Sequence, residues 1–313
     1  MKKHTYFAVG DLILLAASLI WGTAFLFQSI AMEDMGPYLF VTVRGLLASV
    51  VLAAIILVRA LFMPRKRLDK LGTKKGYQLA MMGGIILALA MITQQVGIVG
   101  TTTGKAGFIT TLYIMFVPLI GVVFKKQYPM QTWIALLIGL VGFFFLSTNG
   151  TWTAINGYDG LILLTAFLYG AQIYLIDQLK TSIDSLMFSF FQFFVATLVS
   201  VFPTLFFESF DTSFLSSMDA IISLIYVGIF SSVIAYSLQV VGQKRSSSAP
   251  TASLMMSLEG VFATISGVLF LNEVISWTQA FGMFLILTGI VLSQLSFYFF
   301  KKTPTQRRID TIE

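Results

Sequence analysis

The sequence predicts an all-α integral membrane protein. Ten transmembrane helices form two inverted five-helix repeats, with the N and C termini cytoplasmic. Three observations carry this: an apolar composition, ten long apolar runs whose flanking charges alternate, and an internal repeat. Of 313 residues, 57% are hydrophobic and 11% charged, whereas a soluble domain is about a quarter charged. The 30 Phe, 11 Tyr and 14 Met cannot be screened from water by 20 Lys and Arg and 14 Asp and Glu, but lipid can accept them. This excludes a disordered chain, a secreted disulfide scaffold and a soluble nucleic-acid-binding domain.

Apolar runs fall at 11–31, 37–60, 77–97, 104–124, 131–147, 158–178, 184–206, 220–240, 249–271 and 276–298. Each approaches the roughly 20 residues that cross a bilayer as a helix. A barrel would show alternating segments of about ten residues instead. The first run follows Lys2 and Lys3 but is too long for a signal-peptide core, so it reads as a retained span.

Charge placement sets the orientation. With the N-terminus inside, 18 of the 20 basic residues fall on the cytoplasmic side, Lys105 alone lies outside, and Arg44 sits within a span. That follows the positive-inside rule. It also turns the net charge of +6 into a topology signal rather than a sign of nucleic acid.

Shifting the sequence by 148 lays Asp11 and Trp21-Gly22 on Asp159 and Tyr169-Gly170, and Phe40, Arg44 and Ala48 on Phe188, Gln192 and Ala196. Shifts of 144 and 147 then pair Gly84 with Gly228, Gln95 with Gln239 and Gly142 with Gly289. Residues 1–150 thus form a first five-helix repeat and residues 151–313 a second. Five spans per half is odd, so the second half enters the membrane inverted. Inverted repeats suit a transporter with its site near the midplane, although channels also carry them.

The chain has no Cys, and its single His is His4. Thiolate chemistry, disulfides and a core His are therefore excluded, and no cofactor or metal site is expected. No carboxylate pair or Ser-His-Asp set points to an enzyme. Gly100 to Ala106 approximates a P-loop but is one residue short and lacks the final Ser or Thr. Asn149-Gly150-Thr151 is an acceptor sequon, meaningful only in a glycosylating host.

Two charges lie deep in spans, Arg44 and Glu259, and each must face protein or water. Glu259 is a candidate proton carrier, or else a structural hydrogen-bonding group. Arg44 can grip a substrate carboxylate in two places, or clamp backbone carbonyls. Asp11 and Asp159 stand at helix starts, where caps and dipole partners are common. Trp21, Gln95, Tyr113, Tyr169, Gln172, Gln192, Ser232 and Tyr236 complete the cavity candidates, with Thr23, Gln28, Gln94, Thr110, Tyr174, Ser231, Gln239 and Ser257 as further polar or aromatic span residues. Such a lining suits a small, partly apolar, polar-tipped solute and can hold a cation over aromatic faces. Pro118 is expected to kink its helix. Glycines such as Gly22, Gly139, Gly142, Gly170 and Gly267 allow close helix approach.

The motifs Leu19-Ile20-Trp21-Gly22-Thr23-Ala24-Phe25, Val43-Arg44-Gly45-Leu46-Leu47-Ala48 and Lys105-Ala106-Gly107-Phe108-Ile109 stand in the first half. Gly228 to Tyr236, Ser257-Leu258-Glu259-Gly260-Val261-Phe262-Ala263 and Asn272-Glu273 follow in the second. In this order the chain resembles the EamA-type branch of the drug/metabolite transporter superfamily, from about Asp11 to Phe297. The resemblance implies ten helices around a central cavity and secondary transport of small metabolites, often export of amino acids or related compounds. Gly260 stands where that pattern commonly has Pro. The expectation is an exporter of an amino acid or amine in the cell membrane, working by alternating access. Its partners would be a small-molecule substrate, lipid and, if Glu259 titrates, protons. A channel-like facilitator and a non-transporting scaffold or receptor are the alternatives.

Overall fold

The computed structural model describes residues 9–62, 71–125, 128, 130–150, 156–178, 183–208, 212–245 and 255–300. Most of the basic residues behind the orientation argument, and the 150/151 boundary, fall wholly or partly outside them. The described chain is helical. Its first half holds α1 (Val9–Ala31), α2 (Pro37–Leu61), α3 (Lys74–Ile98), α4 (Thr103–Thr111), α5 (Tyr113–Val123) and α6 (Met130–Thr148). The second holds α7 (Gly157–Gln178), α8 (Ser185–Phe207), a 3-10 turn (Ser213–Ser216), α9 (Met218–Ile225), a π-helical segment (Tyr226–Ala235), α10 (Tyr236–Arg245), α11 (Glu259–Phe270) and α12 (Trp277–Phe300). Among the described residues the only β pairing is an isolated Gly72–Ile183 bridge.

Among the described residues, eight helical segments are long and apolar enough to cross a membrane. The last two predicted runs appear as shorter apolar helices, Met255–Phe270 and Trp277–Leu292. The ninth is short because residues 249–254 lie outside the described set. The protein is a multi-pass membrane protein.

Helix contacts follow the repeat. Corresponding spans meet as α2 with α8, α4 with α11, and α6 with α12, while α1 packs on α10 and α3 on α7. Glycines set the tightest crossings. A Cβ on Gly142 would lie 2.7 Å from the Gly282 carbonyl, and one on Gly282 would lie 2.7 Å from the Leu146 nitrogen. A Cβ on Gly22 would lie 2.7 Å from the Glu259 carbonyl. Such contact replaces the missing hydrophobic drive between helices in lipid.

Two spans are interrupted. The predicted run 104–124 divides at Leu112 into α4 and α5. The sequence places the kink at Pro118, yet Pro118 lies within α5. Pro118 has no N–H for the Ile114 carbonyl and its ring crowds that group, and just before that turn the Leu112 carbonyl accepts from Met115 N at 2.9 Å, a 3-10-type bond. In the ninth run Leu258 makes the equivalent break ahead of α11. The π segment was not foreseen. Within it Ser232 Oγ donates to the Val227 carbonyl, five residues back, at 2.8 Å.

Candidate functional site

A cavity opens among α1, α2, α3, α4, α5, α7, the π segment, α10 and α11. Trp21, Gln28, Arg44, Gln94, Thr110, Tyr113, Tyr169, Gln172, Ser231, Tyr236, Gln239 and Glu259 line it, with Ala24, Phe25, Ile173 and Met256 as apolar wall. Of the ten sequence candidates, seven reach the cavity: Trp21, Arg44, Tyr113, Tyr169, Gln172, Tyr236 and Glu259. Gln95, Gln192 and Ser232 stand behind it. They touch the lining instead. Gln95 Nε2 donates to the Gln28 carbonyl at 3.3 Å. Gln192 Oε1 accepts from Gln172 Nε2 at 3.5 Å, and Ser232 Oγ accepts from Arg44 Nε at 3.4 Å.

Arg44 is 2% exposed. Its second contact runs from a terminal guanidinium nitrogen to Gln28 Oε1 at 3.1 Å. Both partners are neutral, and among the described residues the ion pairs are Arg59–Asp184 and Lys105–Asp159. Arg44 and Glu259 are therefore not paired with each other. A guanidinium this deep keeps its charge only through hydrogen bonds, water or an anion entering the cavity. Glu259 is 4% exposed. Its Oε1 and the Tyr113 hydroxyl lie near each other, and neither completes a hydrogen bond among the described residues.

The aromatic side chains are fixed by neighbours. Trp21 Nε1 donates to the Ser231 carbonyl at 3.3 Å. Trp21 and Tyr236 meet edge to face with ring centres 5.1 Å apart, and Phe193 supports Tyr236 at the same separation. The Tyr169 hydroxyl donates to Gln94 Oε1 at 3.1 Å, and Gln94 Nε2 donates to Thr110 Oγ1 at 3.4 Å. The cavity thus combines one guanidinium, one carboxyl group and five rings on a hydrogen-bonded frame.

At the end of the bundle where α1 finishes, carboxylates join the two halves. Gly36, the N-cap of α2, offers no side chain. Glu208 from the end of α8 accepts the Tyr38 and Leu39 N–H groups at 3.1 and 2.7 Å. Glu273 does the same for α4, accepting from Thr103 N at 2.5 Å and Gly104 N at 3.0 Å. Asn272 adopts a left-handed φ of 53°, which Asn tolerates, and so turns Glu273 back toward α4. Gly267 leaves room for it, since a Cβ there would lie 2.7 Å from Glu273 Cδ. The fully buried Asp159 accepts from Thr101 Oγ1 at 2.5 Å, Ser147 Oγ at 2.6 Å and Lys105 Nζ at 2.6 Å. Sequence reasoning placed Asp159 at a helix start and missed this ion pair. The available signal was Lys105, the one basic residue left outside.

At the opposite end Arg59 grips Asp184 through two bonds of 2.8 and 2.9 Å. Asp184 also caps α8, accepting from Leu186 N at 3.1 Å. Burial pushes its carboxyl up, but the Arg59 hydrogen bond and charge and the Leu186 and Met187 N–H groups together outweigh that and hold it below its ordinary value.

Comparison with known proteins agrees with this architecture. The EamA-like transporter family matches twice, over residues 8–148 and 157–295. A protein of Archaeoglobus fulgidus named as an uncharacterized transporter is 32% identical over 286 residues, covering 91% of this chain and 85% of its own. The Escherichia coli protein named as the uncharacterized inner membrane transporter YedA is 23% identical over 304 residues, covering 93% and 92%. A solved structure, described only as the crystal structure of a protein, superposes with a TM-score of 0.66 at 17% identity over 91% of this chain and 96% of its own, which speaks for the fold alone. With two matches that together span most of its length, this chain belongs to the EamA-like transporter family.

Proposed function

We propose that this transporter exports a small metabolite, an amino acid or amine, by alternating access through the central cavity. The observation that carries the reading is a buried Arg44 with no carboxylate partner among the described residues, in the same cavity as Glu259. A substrate carboxylate would neutralise Arg44. A substrate ammonium would lie toward Glu259 and the faces of Trp21, Tyr113, Tyr169 and Tyr236. Glu259 is also the proposed proton carrier, because among the described residues no other carboxyl group lines the cavity. Gln172 orients substrate directly, while Gln95, Gln192 and Ser232 hold the lining. The scaffold we propose has ten spans, with repeats at 1–150 and 151–313, the second inverted and both termini cytoplasmic. The pairing of corresponding spans across the halves supports it.

Purified protein in proteoliposomes tests this. Flux of amino acids or amines should saturate, be competed by unlabelled substrate and accelerate with substrate on the far side. Linear, non-saturating flux would instead establish a channel-like facilitator. A thermal-shift screen over amino acids, amines and nucleosides identifies the substrate to use.

A further inference from the structure

We propose that Lys105, Asp159 and Glu273 form a latch that holds the cavity shut at the end of the bundle where α1 finishes. Three carboxylates at that end come from the second half and take their partners from the first, while Asp34 of the first half accepts from Ser217 of the second. Asp159 meets Thr101, Lys105 and Ser147, Glu273 meets Thr103 and Gly104, and Glu208 meets Tyr38 and Leu39. Any motion that parts the halves at this end must break these contacts.

The Glu208 clamp is a fixed joint rather than part of the latch. Its helices, α2 and α8, are tied at the other end as well, by Arg59 and Asp184, so they move as a pair. The start of α4 differs. It is held by Glu273 and, through Lys105, by Asp159, and the helix breaks at Leu112 deeper in the membrane. It can therefore swing once those two carboxylates release it. The Lys105–Asp159 pair suits a two-state element, because both groups are nearly enclosed, with side chains 12% and 0% exposed. Enclosed ion pairs add little net stability, and registry or switching is their best-attested use. By charge placement this end faces outward, so the latched state admits solute from the cytoplasm.

The chain has no Cys, so Ala24→Cys in the cavity wall supplies a single thiol. Its labelling by a membrane-impermeant maleimide, applied to intact cells or to inside-out vesicles, reads which side is open. Lys105→Met with Asp159→Asn removes both charges without stranding either. It should speed labelling from outside on the order of tenfold. The exchange Lys105→Asp with Asp159→Lys should return the rate toward that of Ala24→Cys alone. Glu273→Gln should give a smaller acceleration, and it decides the matter if the neutral pair does not yield monodisperse protein.

An unchanged outside rate in the neutral pair overturns the latch. So does acceleration only from the cytoplasmic side, or an exchange variant that labels as fast as the neutral pair. The proposal rests on alternating access but not on the substrate. If labelling responds while no amino acid or amine is transported, the substrate reading fails and the latch stands.

Discussion

Leu112 and Leu258 interrupt their spans with nearly the same backbone geometry, φ −62° and ψ −11° against φ −64° and ψ −10°. They stand 146 residues apart, at equivalent places in the two halves. Each break delivers the next residue to the cavity: Tyr113 in one half and Glu259 in the other. Equivalent positions thus carry a phenol and a carboxyl group, and the carboxyl group is by far the stronger acid of the two.

Under the proposed function, that difference places any proton coupling on Glu259. In Glu259→Gln, flux driven by a pH gradient should vanish while substrate exchange at equal pH persists. Tyr113→Phe should keep the gradient-driven component. A Gln variant with undiminished gradient dependence would refute Glu259 as carrier.

Arg44 offers a separate reading of ligand chemistry. Lys keeps the charge but cannot hold Gln28 and Ser232 while presenting a planar fork. Arg44→Lys should weaken the apparent affinity of a carboxylate-bearing ligand by roughly tenfold to a hundredfold. Affinity for the corresponding amine lacking the carboxylate should change little. Isothermal titration of both ligands distinguishes the outcomes, and equal losses would remove Arg44 from carboxylate binding.

The Arg59–Asp184 contact predicts a pH dependence of folding with a defined sign. The Asp184 carboxyl is held below its ordinary value in the folded protein. Its contribution is therefore fully present above the unfolded carboxylate value, about 4, and is lost as pH falls through the lower folded value. The melting-temperature gap between the parent and Asp184→Asn should be widest near neutrality and close on acidification below about pH 4. A gap that widens with acid contradicts the assignment.

Helix crossings give a stability contrast. Gly142→Ala places a methyl group against the Gly282 carbonyl and the Ile286 nitrogen, at 2.7 and 2.9 Å. Neither backbone atom can move cheaply, so a loss of about 1–3 kcal/mol is expected. Gly160 also lies in a helix, yet a Cβ there meets nothing within 4 Å. Gly160→Ala should leave stability unchanged or raise it by up to about 1 kcal/mol. Thermal unfolding in detergent measures both.

Much of the fold was legible because lipid imposes one strong rule, that each span be long, apolar and helical. The runs at 11–31 and 37–60 correspond to Val9–Ala31 and Pro37–Leu61 almost to the residue. The cavity was legible where polarity conflicts with depth, as at Arg44, Tyr169 and Glu259. Apolar wall residues such as Ala24 and Met256 carry no such conflict and could not be separated from packing. The side-by-side roles of Gln28 and Gln95 depend on which way each helix faces, and a span polar at isolated positions fixes that poorly. Lys105 and Asp159 are distant in sequence, and only the meeting of α4 with α7 makes them partners.

The π segment has a consequence for evolution by insertion and deletion. An α-helix turns roughly 100° per residue, and a π turn carries about one residue more than an α turn. The extra residues in Tyr226–Ala235 therefore set the azimuth of everything that follows them. Tyr236 and Gln239 face the cavity at a phase that an uninterrupted α-helix through the same positions would not give them. Loss of one residue anywhere in that stretch would turn these two side chains toward a neighbouring helix, and a different pair from α10 would take their place. A single codon can thus recompose one wall of the cavity while leaving the span embedded.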